Sequence, residues 1–405
     1  MQLPLEDIKV LDLTHALAGP FCSTMLADFG AQVIKLEPPG EGDIARAWGV
    51  PTAGGESSYF VSLHRNKRGI VVDLKHPKGK ELFFRLVEKC DVVLENYRVG
   101  ALKRLGIDYA EAKKRNPGII YCSISGFGQD GPYRDRAALD LILQSESGMV
   151  SVTGDEGSTG TRAGVSIADM TAGMYSAYGV MLALRMKEKT GEGQEIDVSM
   201  LEGQLALLST MISAYCADGK IPRPTGNTYA ALVPYQTFHT KTRDLAIAIA
   251  GDKLWRKLCP AIGRPDLTDD PRFSRALERN KNRTTLLPML QEVFIARPYE
   301  EWEPLLLAND IPVGAINNLA QVVEHPQVKA RNALVEVEHP RAGRVRVIRS
   351  PVRMSKAPFA VRSPAPMLGQ HTHEVLREVL GMNAEEIAAL EAAGALGGRA
   401  TSNVE

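Results

Sequence analysis

The sequence predicts an α/β protein, with a doubly wound parallel sheet in the first part of the chain and a smaller α+β unit after it. Three observations lead there. Between residues 8 and 125, short Val- and Ile-rich runs alternate with helical segments, the signature of parallel strands joined by helical crossovers. At 219–227 the run "GKIPRPTGN" interrupts the chain with Pro and Gly. A length of 405 residues is too great for one ordinary core, so two domains are expected.

The first strand is expected in "IKVLDLT" (8–14). A helix follows in "GPFCSTMLADFG" (19–30), where Pro20 suits the first turn and Gly30 the end. "AQVIKLE" (31–37) is the next strand. "GIVVDLK" (69–75), the helix "PKGKELFFRLVEKC" (77–90), the strand "DVVLENY" (91–97), a helix through 100–116 and the strand "GIIYCSIS" (118–125) complete the alternation. Ligands on such sheets sit at the carboxyl ends of strands. The exits to watch are therefore Thr14-His15, Lys75-His76, Asn96-Tyr97-Arg98 and Ser123–Gly128. From about 165 to 217 the chain turns mainly helical. Beyond the break, "LVPYQTFHTK" and "DLAIAIAG" are strand-like parts of the smaller unit, which reaches to about 325. A Pro- and Arg-rich return segment (338–366), a final amphipathic helix (371–394) and the tail "GGRATSNVE", expected to fray, end the chain.

Composition excludes several classes. Apolar residues make up 44% and charged residues 24%, an ordinary soluble mixture. Forty-eight basic residues balance 48 acidic ones, which gives no sign of a nucleic-acid partner but still allows a local basic pocket. The five cysteines are scattered and form no CxxC, so neither a metal knuckle nor a disulfide framework is expected; a reducing, cytoplasmic setting is. The N-terminal run has no basic region followed by an apolar core, so no signal peptide is expected, and no apolar run reaches membrane-spanning length.

Several motifs compete for the chemistry. "GFGQDG" (126–131) matches G-x-G-x-x-G and follows a strand, but Pro132 comes directly after it and no helix is expected to open within it. A dinucleotide fingerprint needs that helix, so an irregular loop is expected instead. His371 and His373 alternate, yet no further ligand accompanies them, so helix-start capping or packing is preferred to metal binding. There is no nucleophile-elbow serine. That leaves carboxylates. Asp140 and Asp169 both lie at the edges of apolar segments. On local grounds Asp169 is an N-cap, accepting the N–H of Thr171 or Ala172. Its small neighbours Ala172 and Gly173 also leave room for something bulky to approach.

The runs "VLDLTHALAGPFCSTMLADFGAQVIKLEPPGEGD", "NKRGIVVDLKHPKGKEL", "DVVLENYRVGALKRLGIDY" and "SGFGQDGPYRDRAALDLILQSESG" occur in this order. They are followed by "IADMTAGMYSAYGVMLAL", "TGEGQEIDVSMLEG" and "LGQHTHEVL". Together they resemble the class III coenzyme A transferases, the family of formyl-CoA and carnitine CoA transferases, over nearly the whole chain. The resemblance implies a Rossmann-like large CoA-binding domain from residues 1–217 and 355–405. It implies a linker at 218–227, a small domain at 228–325, a return linker at 326–354, and two subunits threaded through each other as an interlocked homodimer.

It also implies a chemistry. Asp169 matches the family nucleophile and Asp140 a second acidic active-site position. His15, Ala16, Leu17, Val72, Lys75, Asn96, Tyr97, Arg98 and Arg104 match CoA-contacting positions. Leu17 replaces a glutamine of the formyl-CoA enzymes, which implies a different acid. Pro38 replaces an arginine, so one nucleotide contact is either lost or taken over by Arg46. The family's glycine-rich loop is represented only by "IAGDK" (249–253). Leu139 stands where the related α-methylacyl-CoA racemases carry a histidine, so their two-base chemistry is not expected. No permanently bound cofactor is implied: the CoA thioester is a substrate, and small carboxylic acids, with dicarboxylates foremost, are the partners. A non-catalytic CoA-binding protein of the same fold is the alternative of another class.

Overall fold

The computed structural model describes residues 3–396. These residues fall into two compact units, one formed by the chain up to Met149 with Ala163–Lys220 and the chain from Lys329 on, the other by Val150–Arg162 and Ile221–Val328. The tail "GGRATSNVE" lies outside the described residues.

The first unit opens with β1 (Lys9–Asp12), α1 (Ala18–Asp28), β2 (Gln32–Glu37), α2 (Ser58–Leu63), β3 (Lys67–Val71), α3 (Pro77–Val87) and β4 (Val92–Glu95). α4 (Ala101–Leu105), α5 (Tyr109–Arg115), β5 (Ile120–Ser125) and α6 (Asp140–Glu146) come next, and the single turn α7 (Met149–Val152) leads into the part of the chain assigned to the second unit. Then follow α8 (Ile167–Thr190), β6 (Glu195–Ser199), α9 (Met200–Leu207) and α10 (Ser209–Asp218). The six strands form one sheet in the order β3-β2-β1-β4-β5-β6, every pairing parallel. The order runs outward from β1 to β3 and then restarts at β4 on the other side of β1. The carboxyl ends of β1 and β4 therefore border the switch point, where such sheets bind ligands.

The second unit has a three-stranded antiparallel sheet of β7 (Tyr235–Phe238), β8 (Leu245–Ala248) and β9 (Val313–Ala315). With it come α11 (Asp252–Ala261), α12 (Ala276–Lys281), α13 (Arg283–Phe294), α14 (Tyr299–Ala308) and α15 (Leu319–Glu324), before the short α16 (Pro326–Ala330). Its core is aromatic, with Trp255, Phe294 and Trp302 almost fully buried. The chain then forms the antiparallel hairpin β10 (Leu334–His339) and β11 (Gly343–Ile348) and ends in α17 (Thr372–Leu380) and α18 (Ala384–Ala392).

The parallel sheet is buried on both faces. Leu11, Ile34, Ile70 and Val93 point to the side covered by α3, α17 and α18, while Val10, Val33, Val92 and Leu94 point to the side covered by α1 and α8. This explains why neighbouring strand positions such as 10–11, 33–34 and 92–94 are apolar on both faces rather than alternating. The expected spans change at several places. The strand at 69–75 is β3, Lys67–Val71; Asp73 and the residues after it turn away toward α3. The helix through 100–116 is two helices, because Gly106 takes a left-handed φ of 70° and Asp108 restarts the helix by capping Glu111 N–H. The terminal helix is likewise two, broken at Gly381. The mainly helical stretch 165–217 contains β6, and the return segment contains a hairpin.

Candidate active site

The loop between β1 and α1 must reverse the chain within a few residues, and its backbone is held almost group by group. Thr14 N–H donates to Asp12 Oδ1 at 2.9 Å. His15 N–H donates to Asn96 Oδ1, and Asn96 Nδ2 donates back to the His15 carbonyl, each at 2.9 Å. Ala16 N–H donates to Asp43 Oδ1 at 3.0 Å, and the Thr14 carbonyl accepts from Lys35 Nζ. Ala16 has φ 65°, a left-handed conformation costing a residue with a Cβ roughly 1–2 kcal/mol. The first turn of α1 lies so near this loop that a Cβ on Gly19 would fall 2.2 Å from Thr14 Cβ.

Beneath the loop lies a buried set of charges. Lys35 Nζ pairs with Asp43 Oδ2 at 2.9 Å, and Lys67 Nζ lies 3.5 Å from Asp12 Oδ2. Lys67 also donates to Ser23 Oγ and the Pro20 carbonyl, while Ser23 Oγ donates to Asp12. Burial opposes ionisation of Asp12 and Asp43, but the neighbouring lysines and hydrogen bonds outweigh it and hold both carboxyls below the usual range. Burial pushes His15 down, with Lys35 adding to the effect, so its imidazole is neutral near pH 7. The His15 ring meets Tyr97 edge-on at 5.3 Å. Buried pairs of this kind hold backbone geometry more than they add stability.

Asp169 and Asp140 are brought together from different elements. Asp140 opens α6; its Oδ1 accepts the Ala168 N–H at 2.9 Å and its Oδ2 accepts Gln144 Nε2 at 2.7 Å. Gln144 in turn accepts the Ala163 N–H. The cap of α8 is therefore supplied by Asp140, and the expectation that Asp169 is the N-cap is overturned. α8 begins at Ile167, so Asp169 already lies within its first turn. Its half-buried carboxyl instead faces the backbone N–H of Ala18, at the start of α1, where α1 and α8 run so close that a Cβ on Gly173 would fall 2.5 Å from the Ala18 carbonyl. Burial, reinforced by the charge of Asp140, pushes this carboxyl up to about 7, against the pull of the Ala18 N–H. No basic side chain pairs with Asp169 among the described residues. Tyr59 feels the charges of Asp169, Asp43 and Asp140, and burial raises its phenol to about 12.

The other expected positions spread over the same sheet edge. Val72 is buried and shares a core cluster with Tyr97. Lys75, Arg98 and Arg104 are exposed. Arg98 donates to the Asp135 carbonyl at 2.6 Å, and no side-chain hydrogen bond or ion pair ties Lys75 or Arg104 to the His15–Asn96 group among the described residues. Leu17 is the residue before α1. Leu139 immediately precedes α6 and is largely exposed. Arg46 cannot stand in for the arginine missing at Pro38: its guanidinium grips both oxygens of Glu37 at 2.7 Å, donates to the Pro366 carbonyl and lies 3.7 Å over the Phe60 ring. The "GFGQDG" run is an irregular loop, its Gly128 and Gln129 N–H groups held by Ser125 and Asp197. His371 accepts the Gly69 N–H and His373 bonds Glu391, so both are packing residues. No metal-binding cluster occurs among the described residues. Lys35, Asp43 and the Ala18 N–H were missed by the sequence reading. Only the run "EPPGEGD" pointed toward Asp43, without a role.

The family model for CoA-transferase family III matches residues 5–372. The chain is 39% identical over 391 residues to the succinyl-CoA:glutarate CoA-transferase of Homo sapiens, covering 96% of this chain and 89% of that one. It is 37% identical to the succinate–glutarate CoA-transferase of Agrobacterium fabrum, covering 93% and 96%. The crystal structure of a CAIB/BAIF family protein from Brucella suis superposes with a TM-score of 0.85 at 35% identity, covering 94% of this chain and all of that one. With an acid raised in pKa at the head of α8, a strand-exit loop at the switch point and a family match over most of its length, this chain belongs to CoA-transferase family III.

Proposed function

We propose that the protein moves coenzyme A from succinyl-CoA, or another dicarboxylyl-CoA, to a free dicarboxylic acid such as glutarate, with Asp169 as the nucleophile. The observation that carries this is the placement of Asp169: a half-buried acid in the first turn of α8, beside the Asp140 that caps the helix, raised to about 7 by burial and by that neighbour and facing one N–H rather than a cation. Such a carboxylate is both available and nucleophilic near neutral pH. The names of the relatives support the choice of acids.

The carboxylate of Asp169 attacks the thioester carbonyl, the C–S bond breaks, and a mixed anhydride and CoA thiolate result. The thiolate attacks the Asp169 carbonyl of the anhydride; the donor acid leaves and an aspartyl-CoA thioester remains. The acceptor carboxylate attacks that thioester to give a second anhydride. The thiolate then takes the acceptor's acyl group and frees Asp169. One thioester replaces another, so no ATP is required. In each attack on the Asp169 carbonyl, charge develops on an oxygen that the Ala18 N–H already faces.

His15, Ala16, Leu17, Val72, Lys75, Asn96, Tyr97, Arg98 and Arg104 would form the CoA site, with the cations toward the phosphates. A homodimer is part of the proposal. Tyr175, Tyr178, Met181 and Leu182 of α8 and Met211 and Tyr215 of α10 are all exposed, more apolar helix surface than a monomer usually leaves open. All five cysteines are free, which supports a reducing, cytoplasmic setting, and no helix among the described residues is long and apolar enough to cross a membrane. The test is incubation with succinyl-CoA and a panel of acids. Glutaryl-CoA formation with stoichiometric succinate release is expected. Racemisation of a 2-methylacyl-CoA without transfer would replace this function by the racemase, and CoA binding without turnover would leave only a binding protein.

A further inference from the structure

We propose that Asp43, paired with Lys35, is a positioning residue: by clamping Ala16 in its left-handed conformation it aims the Ala18 N–H at the Asp169 carboxyl. The proposal rests on Asp169 being the reacting group. Ala16 is one of few residues other than glycine with positive φ among the described residues, and nothing in an alanine side chain favours that state. What imposes it is the pair below. Asp43 Oδ1 holds the Ala16 N–H at 3.0 Å, Asp43 Oδ2 holds Lys35 at 2.9 Å, and Lys35 donates to the Thr14 carbonyl. One buried ion pair thus grips the loop on both sides of His15. Two residues beyond Ala16, Ala18 lies against α8, where a Cβ on Gly173, one turn from Asp169, would fall 2.5 Å from the Ala18 carbonyl, and the Ala18 N–H faces the Asp169 carboxyl.

Asp43 also accepts the Ala45 N–H at 2.9 Å and so caps a turn of its own. A purely structural role is the competing explanation. The two differ in what a glycine at position 16 does. Glycine adopts positive φ without strain, so it relieves the need for a clamp on Ala16 but does nothing for a lost cap or a lost ion pair.

The experiment removes the pair together, as Asp43→Ala with Lys35→Met, so that no buried charge is orphaned. It is compared with and without Ala16→Gly, Ala16→Gly alone completing the cycle. Assays use succinyl-CoA and glutarate, with hydrogen exchange of the 13–21 peptide measured alongside. The pair variant should lose roughly 10- to 100-fold in kcat with KM for the acyl-CoA within about threefold, because the N–H matters most when charge develops. Exchange of the peptide should quicken. Adding Ala16→Gly should return at least about fivefold of kcat and slow exchange again. Unchanged kcat, or a loss that glycine does not relieve, overturns the proposal. If the pair variant does not fold, Ala16→Val takes its place: its β-branch resists left-handed φ, so it should lower kcat with little change in melting temperature, and full kcat in that variant is equally fatal. Exchange separates the two levels. If the glycine rescue appears in exchange but the parent protein transfers no CoA, the clamp stands and the transferase function falls.

Discussion

Asp12, Asp28 and Asp43 each face a basic side chain, whereas Asp169 faces one backbone N–H and another acid. That contrast sets the first prediction. Asp169→Ala should lower transfer by at least roughly a thousandfold while CoA affinity and fold persist, and hydroxylamine trapping from acyl-CoA should no longer label the peptide 163–185; near-parental turnover would remove Asp169 from the mechanism. The second concerns pH. The attacking form is the carboxylate, so kcat/KM for the acyl-CoA should rise about tenfold between pH 6 and 8 and level above that, following a group near 7. A flat profile over that range contradicts a raised Asp169. Stability should run the other way. The folded-state value lies above the unfolded one, so the folded protein binds the extra proton and loses stability as pH climbs from about 4 to 7. Asp169→Asn lacks this penalty, and its advantage over the parent in unfolding free energy, measured by urea titration, should grow across that window by roughly 1–3 kcal/mol. Asp169 could be singled out in the sequence because its motif is local. The groups that hold it were not: Asp140 and Ala18 come from distant parts of the chain, and only folding shows that the helix is capped by another acid, leaving Asp169 uncommitted.

At the scale of elements, α1 and α8 decide the site. Gly173 faces α1 so closely that a Cβ there would stand 2.5 Å from the Ala18 carbonyl and 3.1 Å from Phe21. The expectation that the small residue at 173 leaves room for something bulky to approach therefore changes: α1 takes that space. Even Gly173→Ala must push α8 from α1, so it should cost roughly 1–3 kcal/mol of stability and disturb the Ala18–Asp169 contact. Thermal unfolding and kcat should fall together, and an alanine variant of unchanged melting temperature would show that the helices can yield. The early strands were legible because both their faces are buried and their apolar runs are strong. β6 was not, since "EIDVS" carries two acids and lies at the sheet edge. The hairpin of β10 and β11 was masked by arginines and glutamates that pair across its exposed face, a favourable cross-strand pattern that reads in sequence as a charged linker.

For the whole molecule, the exposed apolar side chains of α8 and α10 are the feature a lone chain explains least. Water-facing Tyr178 and Met181 are each more than 40% exposed, in the helix whose first turn carries Asp169. A second copy of the chain would bury them, and the family resemblance adds that the copies are threaded. The two halves of that expectation separate experimentally. Sedimentation should give a dimer at micromolar protein. If the dimer is only a surface contact, dilution to nanomolar or Tyr178→Asp with Met181→Asp should release folded monomers. If the chains are linked, dilution should change nothing, and subunit exchange between tagged and untagged protein should require a denaturant concentration that also unfolds the protein. A compact, active monomer at any concentration would defeat both forms. Linked dimers that lost activity on the double substitution without dissociating would place α8's outer face in the geometry of Asp169 at its inner end, through the helix both share.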